Sequence, residues 1–363
     1  MNPFFLFSSG RGMLWPAHFV CLLLVGILLV GCDRSREIVL FQGNRQGTTY
    51  HIKVVMEAGS PEKERVEKRV NEIFDRIDLD LSTYREDSEI SRFNSMKSTE
   101  WISLSPTVVA LSALAGEVSR KTSGCFDLTI KPLFDLWGFS SFGAQKVPDD
   151  AEIQKVLKHI GMNGIEVDLE GSRLRKKDPE LQLDLSSIGQ GYTVGEIAKL
   201  LESMGFSDYL VEIGGELKVR GQKPDGVNWR VAVEKPTPFS EQVQKLIDIR
   251  ETQGTAIMTA GTYRHFFEQG GQVYSHILDP RIGRPVSHHL LSVTVLHEDP
   301  TLADLWDTAL LCVGEAEALR IAEEEGLKVL LIADHDHQLV ERMSKAFAQE
   351  DARSIDVLNP GLP

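Results

Sequence analysis

The sequence is short of cysteine, with 4 in 363 residues, so no framework of disulfides holds the fold together. It is also short of positive charge. Its 39 Lys and Arg stand against 53 Asp and Glu, a net charge of −14, which disfavours a long anionic partner such as duplex DNA, whose binding rests on neutralising phosphates. No long Pro- or Ser-rich linker and no internal repeat of about 20–50 residues appears, which argues against tethered modules and solenoids. Four catalytic signatures are missing as well: a Walker loop, a dinucleotide fingerprint, a His-Glu-x-x-His zinc site and a Gly-x-Ser-x-Gly elbow. What is present is ordinary globular composition, 42% hydrophobic and 25% charged, in a chain long enough to bury at least one sizeable core.

The N-terminal run Phe19–Val30 is apolar for 12 residues behind Arg11 and His18. That is too short for a comfortable membrane span and has the length of a signal-peptide core. It ends Leu29-Val30-Gly31-Cys32, which resembles a bacterial lipobox, in which the cysteine is lipidated and becomes the mature N-terminus; a generic export signal and a short anchor are the other readings. Asp33 resembles the signal that retains lipoproteins on the inner membrane. The expected organisation is a leader over 1–31, a polar tether over 32–37 lipidated at Cys32, a body over 38–345 and a tail over 346–363. Removing the leader leaves 332 residues with a net charge of −15, because Arg11 is the only charged residue lost. Cys125 and Cys312 are then the remaining thiols in a compartment that permits disulfides, and whether they meet stays open.

Along the body, Thr48–Met56 alternates as a strand, and Pro61–Leu81 carries an apolar helical stripe. Ser105-Pro106 is a favourable start for a helix running to about Lys121. Short strands over 165–185 turn at Glu170-Gly171, and a helix from about Gln190 to Met204 follows. Further strands are expected at Tyr209–Ile213, Glu216–Arg220, Trp229–Val233, Leu246–Ile249, Val273–Leu278 and Leu291–Leu296. The helices Thr301–Val313 and Glu315–Glu325 precede a last strand at Val329–Ile332. Without a regular βαβ period this pattern predicts an α+β fold, one catalytic unit or two interleaved subdomains, with Gly138–Asp150 the least structured stretch.

Several small clusters carry polar chemistry. Asp304 and Thr308 are four residues apart and share a helix face, with Asp307 adjacent; two carboxylates and a hydroxyl suit Mg²⁺ or Ca²⁺, although Asp304 could instead cap the helix. Asp184-Leu185-Ser186-Ser187-Ile188-Gly189-Gln190 runs into a helix start that can receive a phosphate or simply be a capped turn. His276, followed by Asp279-Pro280-Arg281 and Arg284, offers a base near neutral pH and cations for phosphate oxygens, or a structural histidine. Ser82-Thr83-Tyr84 and Gly124-Cys125-Phe126-Asp127 mix aromatic and polar groups as an aromatic cofactor pocket would, or as capped turns and core do.

Taken in order, these clusters resemble the ApbE family of FAD:protein FMN transferases. The resemblance runs from Gln46-Gly47-Thr48 through Ser82-Thr83-Tyr84, Gly124–Asp127, Pro132–Phe139, Leu183–Tyr192, Glu212-Ile213-Gly214-Gly215-Glu216, Trp229-Arg230-Val231 and Thr259–Arg264 to the His276 segment and the Asp304 helix. It covers roughly residues 38–345. It implies a T-fold-related arrangement of mixed sheets with packed helices, FAD as substrate, Mg²⁺ as cofactor, and transfer of FMN through a phosphoester to a Thr or Ser hydroxyl of an acceptor protein, with AMP released. Acceptors in the family include subunits of Na⁺-pumping NADH:quinone reductases and Rnf-type complexes; a lipid anchor would hold the enzyme to the inner membrane, facing the periplasm. The residues carried over are Gln46, Tyr84, Cys125, Phe126, Asp127, Asp184, Gln190 and Leu278 for FAD, several through main chain, and Ser187, Asp304, Asp307 and Thr308 for the metal. His276 and Asp304 would be catalytic, and Arg281 or Arg284 would add positive charge. Gln46 stands in place of the usual Met, Gly189-Gln190 in place of Ala-Lys, and Gly195 in place of Asp. A Mg²⁺-dependent FAD pyrophosphatase and a non-catalytic flavin-binding lipoprotein are the alternatives.

Overall fold

The computed structural model describes residues 35–140, 145–237, 242–249, 253–351 and 355–358; the expected leader and Cys32 lie outside them. Eight strands form one sheet in chain order: β1 (Arg36–Arg45), β2 (Thr48–Glu57), β3 (Tyr209–Ile213), β4 (Glu216–Arg220), β5 (Thr255–Gly261), β6 (Leu290–His297), β7 (Lys328–His335) and β8 (Gln338–Met343). Every neighbouring pair is antiparallel, which agrees with an α+β fold and excludes a doubly wound sheet. The long excursion between β2 and β3 carries α1 (Glu62–Leu81), α2 (Pro106–Lys121) and α3 (Ser186–Ser203), and α4 (Pro300–Val313) and α5 (Glu315–Glu325) connect β6 to β7.

Burial follows the two periodicities. α1 buries Val66, Val70, Phe74, Ile77 and Leu81 on one stripe. β7 is covered on both faces: Val329, Leu331 and Ala333 join the core beneath the helices, and Leu330 and Ile332 join a second core. That second core lies against a three-stranded sheet of Trp229–Glu234, Val243–Ile249 and Ile355–Leu358.

Several expectations change. Arg36 and Glu37, expected within the tether over 32–37, pair with Glu57 and Met56; strand pairing uses the backbone, and a polar edge strand shows no apolar alternation. The expected tail over 346–363 carries regular structure in its described residues. It forms the helix Lys345–Asp351, with Phe347 fully buried, and a strand paired to Val243–Ile249. The single strand expected over Val273–Leu278 is broken into Gln272–Ser275 and Leu278–Asp279, with His276 in the gap. Within Gly138–Asp150, a helix starts at Asp150 behind a capping box of Asp149 and Glu152. α3 begins at Ser186, four residues before the expected start, its first turns hidden by glycines of low helix propensity.

Cys125 and Cys312 are joined in a disulfide with Cα atoms 5.9 Å apart, across a separation of 187 residues. The bond ties the end of α2 to the end of α4. Closing so long a loop restricts the unfolded chain, and Cys312→Ser should lower unfolding free energy by about 2–5 kcal/mol. Urea denaturation checks this: a reductant should shift the wild-type midpoint to that of the variant and leave the variant where it is.

Candidate active site

An antiparallel meander brings alternate turns to the same end of the sheet. The β1–β2 turn at Gln46-Gly47, the β3–β4 turn at Gly214-Gly215 and the segment after β5 through Arg264 therefore lie together, and the Gly214 N–H donates to the Thr49 carbonyl at 3.0 Å. The two-residue β3–β4 loop has φ of 63° at Gly214 and 102° at Gly215, angles that glycine reaches without strain. Ile213 and Glu216 face each other across it, so the turn fixes where Glu216 stands.

The cap of α4 is Asp299, whose carboxylate accepts the Thr301 N–H at 2.8 Å. The capping role left open for Asp304 is thus already filled, and Asp304 reaches across to α3, where its Oδ2 accepts the Gly191 N–H at 2.7 Å. Only glycine permits this approach: a Cβ on Gly191 would lie 2.5 Å from Asp304 Cβ and 2.6 Å from the Pro300 carbonyl oxygen. Ser187 stands one turn before Gly191, and Thr308 one turn after Asp304.

Asp304, Asp307 and Glu216 each bring a carboxylate oxygen within 4.8 Å of the others, all buried. Both oxygens of Asp307 lack a hydrogen-bond partner. Burial raises the Asp304 carboxyl to about 7 against the pull of the Gly191 N–H. Burial, followed by the neighbouring carboxylates, lifts Asp307 well above the usual range, and burial followed by Asp304 does the same for Glu216. An all-oxygen donor set with unsatisfied buried oxygens fits a hard divalent cation.

The expected extra cations are elsewhere. Arg281 is bidentate to Asp279, at 2.8 and 2.7 Å, and Arg284 pairs with Asp150, so local carboxylates already occupy both. Arg264 instead covers the Gly215 turn, where a Cβ would meet its Nη1 at 3.0 Å, and its charge bears on both Glu216 and His276.

His276 is half-buried. Its Nδ1 lies 2.9 Å from the His265 carbonyl, which also accepts the His276 backbone N–H at 2.9 Å. A carbonyl only accepts, so Nδ1 carries the proton and Nε2 presents its lone pair. The His265 ring meets the imidazole edge-on at 5.3 Å between centroids, and Phe139 does so at 6.4 Å.

The expected flavin contacts divide into groups. Gln46 donates from Nε2 to Thr193 Oγ1 at 3.1 Å, with Oε1 buried and unpartnered, and Gln190 lies against the Gly214 turn. The Gly124-Cys125 loop touches the turn after Leu278, where a Cβ on Gly124 would be 3.9 Å from Arg281 Cγ. The side chains of Cys125, Phe126 and Asp127 are engaged within the fold. Cys125 is in the disulfide and Phe126 is in the main core. Asp127 accepts the Thr129 N–H at 2.7 Å, the Thr129 hydroxyl at 2.5 Å and the Met162 N–H at 3.0 Å, which leaves the main chain of 125–127 for any ligand. Asp184 accepts the Ser186 N–H at 2.8 Å, Leu278 packs in a small core with Trp137 and Phe267, and Tyr84 is 58% exposed. No hydrogen bond or ring contact joins Tyr84 to the others among the described residues. Glu216 and Arg264 had no role assigned from sequence; the Gly-Gly hairpin before Glu216 is the signal that marks it.

Burial first, and then the neighbouring His265, push the His276 imidazole down to about 4 from the ordinary 6.5. The unfolded chain takes up this proton near pH 6.5 and the folded one near pH 4, so this stability, present above pH 6.5, is lost as pH falls through that window. NMR titration of the imidazole, assigned with a His276→Asn variant, should show no protonation above about pH 5; a midpoint near 6.5 contradicts control by burial.

The model of the ApbE family matches residues 46–331. The chain is 38% identical over 323 residues to an FAD:protein FMN transferase of Vibrio cholerae serotype O1, covering 88% of this chain and 95% of the relative. It is 35% identical over 341 residues to the enzyme of the same name from Salmonella typhimurium, covering 90% and 95%. Among solved structures, the flavin transferase ApbE from Vibrio cholerae superposes with a TM-score of 0.79 at 35% identity, over 86% of this chain and 99% of the other. The apo flavinyl transferase ApbE from Pseudomonas stutzeri does so with 0.78 at 36%, over 86% and 96%. The chain belongs to the ApbE family.

Proposed function

We propose that this chain is an FAD:protein FMN transferase that moves FMN onto a Thr or Ser hydroxyl of an acceptor protein and releases AMP. The observation that carries this reading is the buried carboxylate cluster at the turn end of the sheet, with both Asp307 oxygens unpartnered. Asp304, Asp307, Thr308 and Ser187 would hold Mg²⁺, which when bound neutralises charge on pyrophosphate oxygens. The acceptor oxygen bonds to the FMN phosphorus while the bond to the bridging oxygen breaks and AMP leaves with that electron pair. His276 takes the acceptor proton at Nε2, because Nδ1–H is held by the His265 carbonyl. Arg264 adds fixed positive charge on the same side, where the net charge of the protein opposes an anionic substrate. The names of the relatives favour transfer over hydrolysis or passive flavin storage.

His276→Ala should retain FAD binding and slow transfer by about 10²–10⁴-fold, and Asp304→Ala should abolish Mg²⁺-dependent transfer while keeping the fold. Covalent flavin fluorescence on a co-expressed acceptor measures both. Free FMN and AMP without an adduct would instead mark a pyrophosphatase, and unchanged FAD a storage protein.

The same reading extends to location: lipidation at Cys32 anchors the enzyme to the inner membrane facing the periplasm, within reach of electron-transport subunits of the Na⁺-pumping NADH:quinone reductase or Rnf type. The Cys125–Cys312 disulfide supports an oxidising compartment. Cys32→Ser should move the protein from the membrane to the soluble fraction; unchanged membrane retention argues against the anchor.

A further inference from the structure

Glu216 is 7% exposed, and among the described residues it forms no ion pair, although Arg264 faces it. Its Oε2 accepts the Thr259 N–H at 3.1 Å, and a carboxylate oxygen lies within 4.8 Å of Asp304 and Asp307. Setting a third carboxylate out of water beside two others is unfavourable unless a cation compensates. The fold nevertheless directs it there: Gly214 and Gly215 form the tight turn, and Glu212 Oε1 accepts the Gly215 N–H at 2.7 Å while its Oε2 meets His51 Nδ1 at 2.6 Å. A second observation is independent of Glu216. Both Asp307 oxygens are buried and unpartnered, so a group that satisfies them is expected inside the cluster.

We propose that Glu216 is a third carboxylate of the divalent-cation site, binding the ion together with Asp304 and Asp307, and that Glu212 and His51 position it by holding the Gly214-Gly215 turn. This rests on the reading that Asp304 and Asp307 hold a cation.

The probe is Mn²⁺ titrated into the full chain without FAD, with free Mn²⁺ read by electron paramagnetic resonance. Glu216→Gln, nearly the same shape without the charge, should weaken Mn²⁺ binding at least about tenfold, in keeping with losing a charged ligand. It should also shrink the rise in melting temperature that Mn²⁺ produces, a rise that a purely structural Glu216 would leave at its wild-type size. Should Glu216→Gln fail to fold, Glu216→Asp, which keeps the charge but withdraws it by one methylene, should still weaken binding. Wild-type Mn²⁺ affinity in the variant that folds overturns the role of Glu216. Wild-type affinity in Asp304→Ala, or no binding by the wild type, overturns the cation reading beneath it, so the two failures are distinguishable.

Discussion

Like charges held close together and away from water repel, and three carboxylates within 4.8 Å of one another set demands that the surrounding structure has to meet. Asp304 and Asp307 both stand on α4, where a main-chain N–H from α3 also holds Asp304, and Glu216 arrives on a strand after a glycine turn. No single element could hold such a set. Cross-linked supports can, because yielding at one point would disturb the packing of α3 on α4 and the pairing of β3 with β4 together. This explains why Gly191, where α3 meets α4, has no room for a methyl group.

The sheet gives these supports their common meeting place. Strands that follow one another in order return the chain to the same end every second turn, so three segments far apart in sequence meet without a crossover connection. α4 then extends the site along its length. Asp304, Thr308 and Cys312 recur every fourth residue and so occupy one face, spanning about 12 Å at 1.5 Å per residue. One end of that face is at the carboxylates, and the other is linked to the 123–127 loop through the disulfide. The carboxylate cluster and the 123–127 loop are therefore spaced by one helix.

Much of this was legible in the sequence, and the exceptions have physical reasons. β3, β4 and α5 have the bounds that pattern alone suggests, since each is an amphipathic or alternating segment between turn residues. β1 was hidden because it is an exposed edge strand with only Phe41 buried, and β5 because it mixes small polar and apolar residues under α4. The Asp304–Thr308 pair could be found from helix spacing. Glu216 could not, because it joins Asp304 from 88 positions away by tertiary packing. Arg281 and Arg284 looked available because sequence shows residue types and not which carboxylates they already hold; Asp279 and Asp150 take them.

β1 begins at Arg36, four positions after Cys32, and ends at the turn that borders the carboxylate cluster. At roughly 3.3 Å per residue its ten residues measure about 33 Å, and four extended residues add at most about 14 Å. With a lipid on Cys32, as proposed, the reactive end of the sheet is the end far from the anchor, and it can stand no more than about 47 Å from the bilayer surface. An acceptor would then have to present its hydroxyl inside a shallow layer above the membrane, which selects partners by height as well as by sequence.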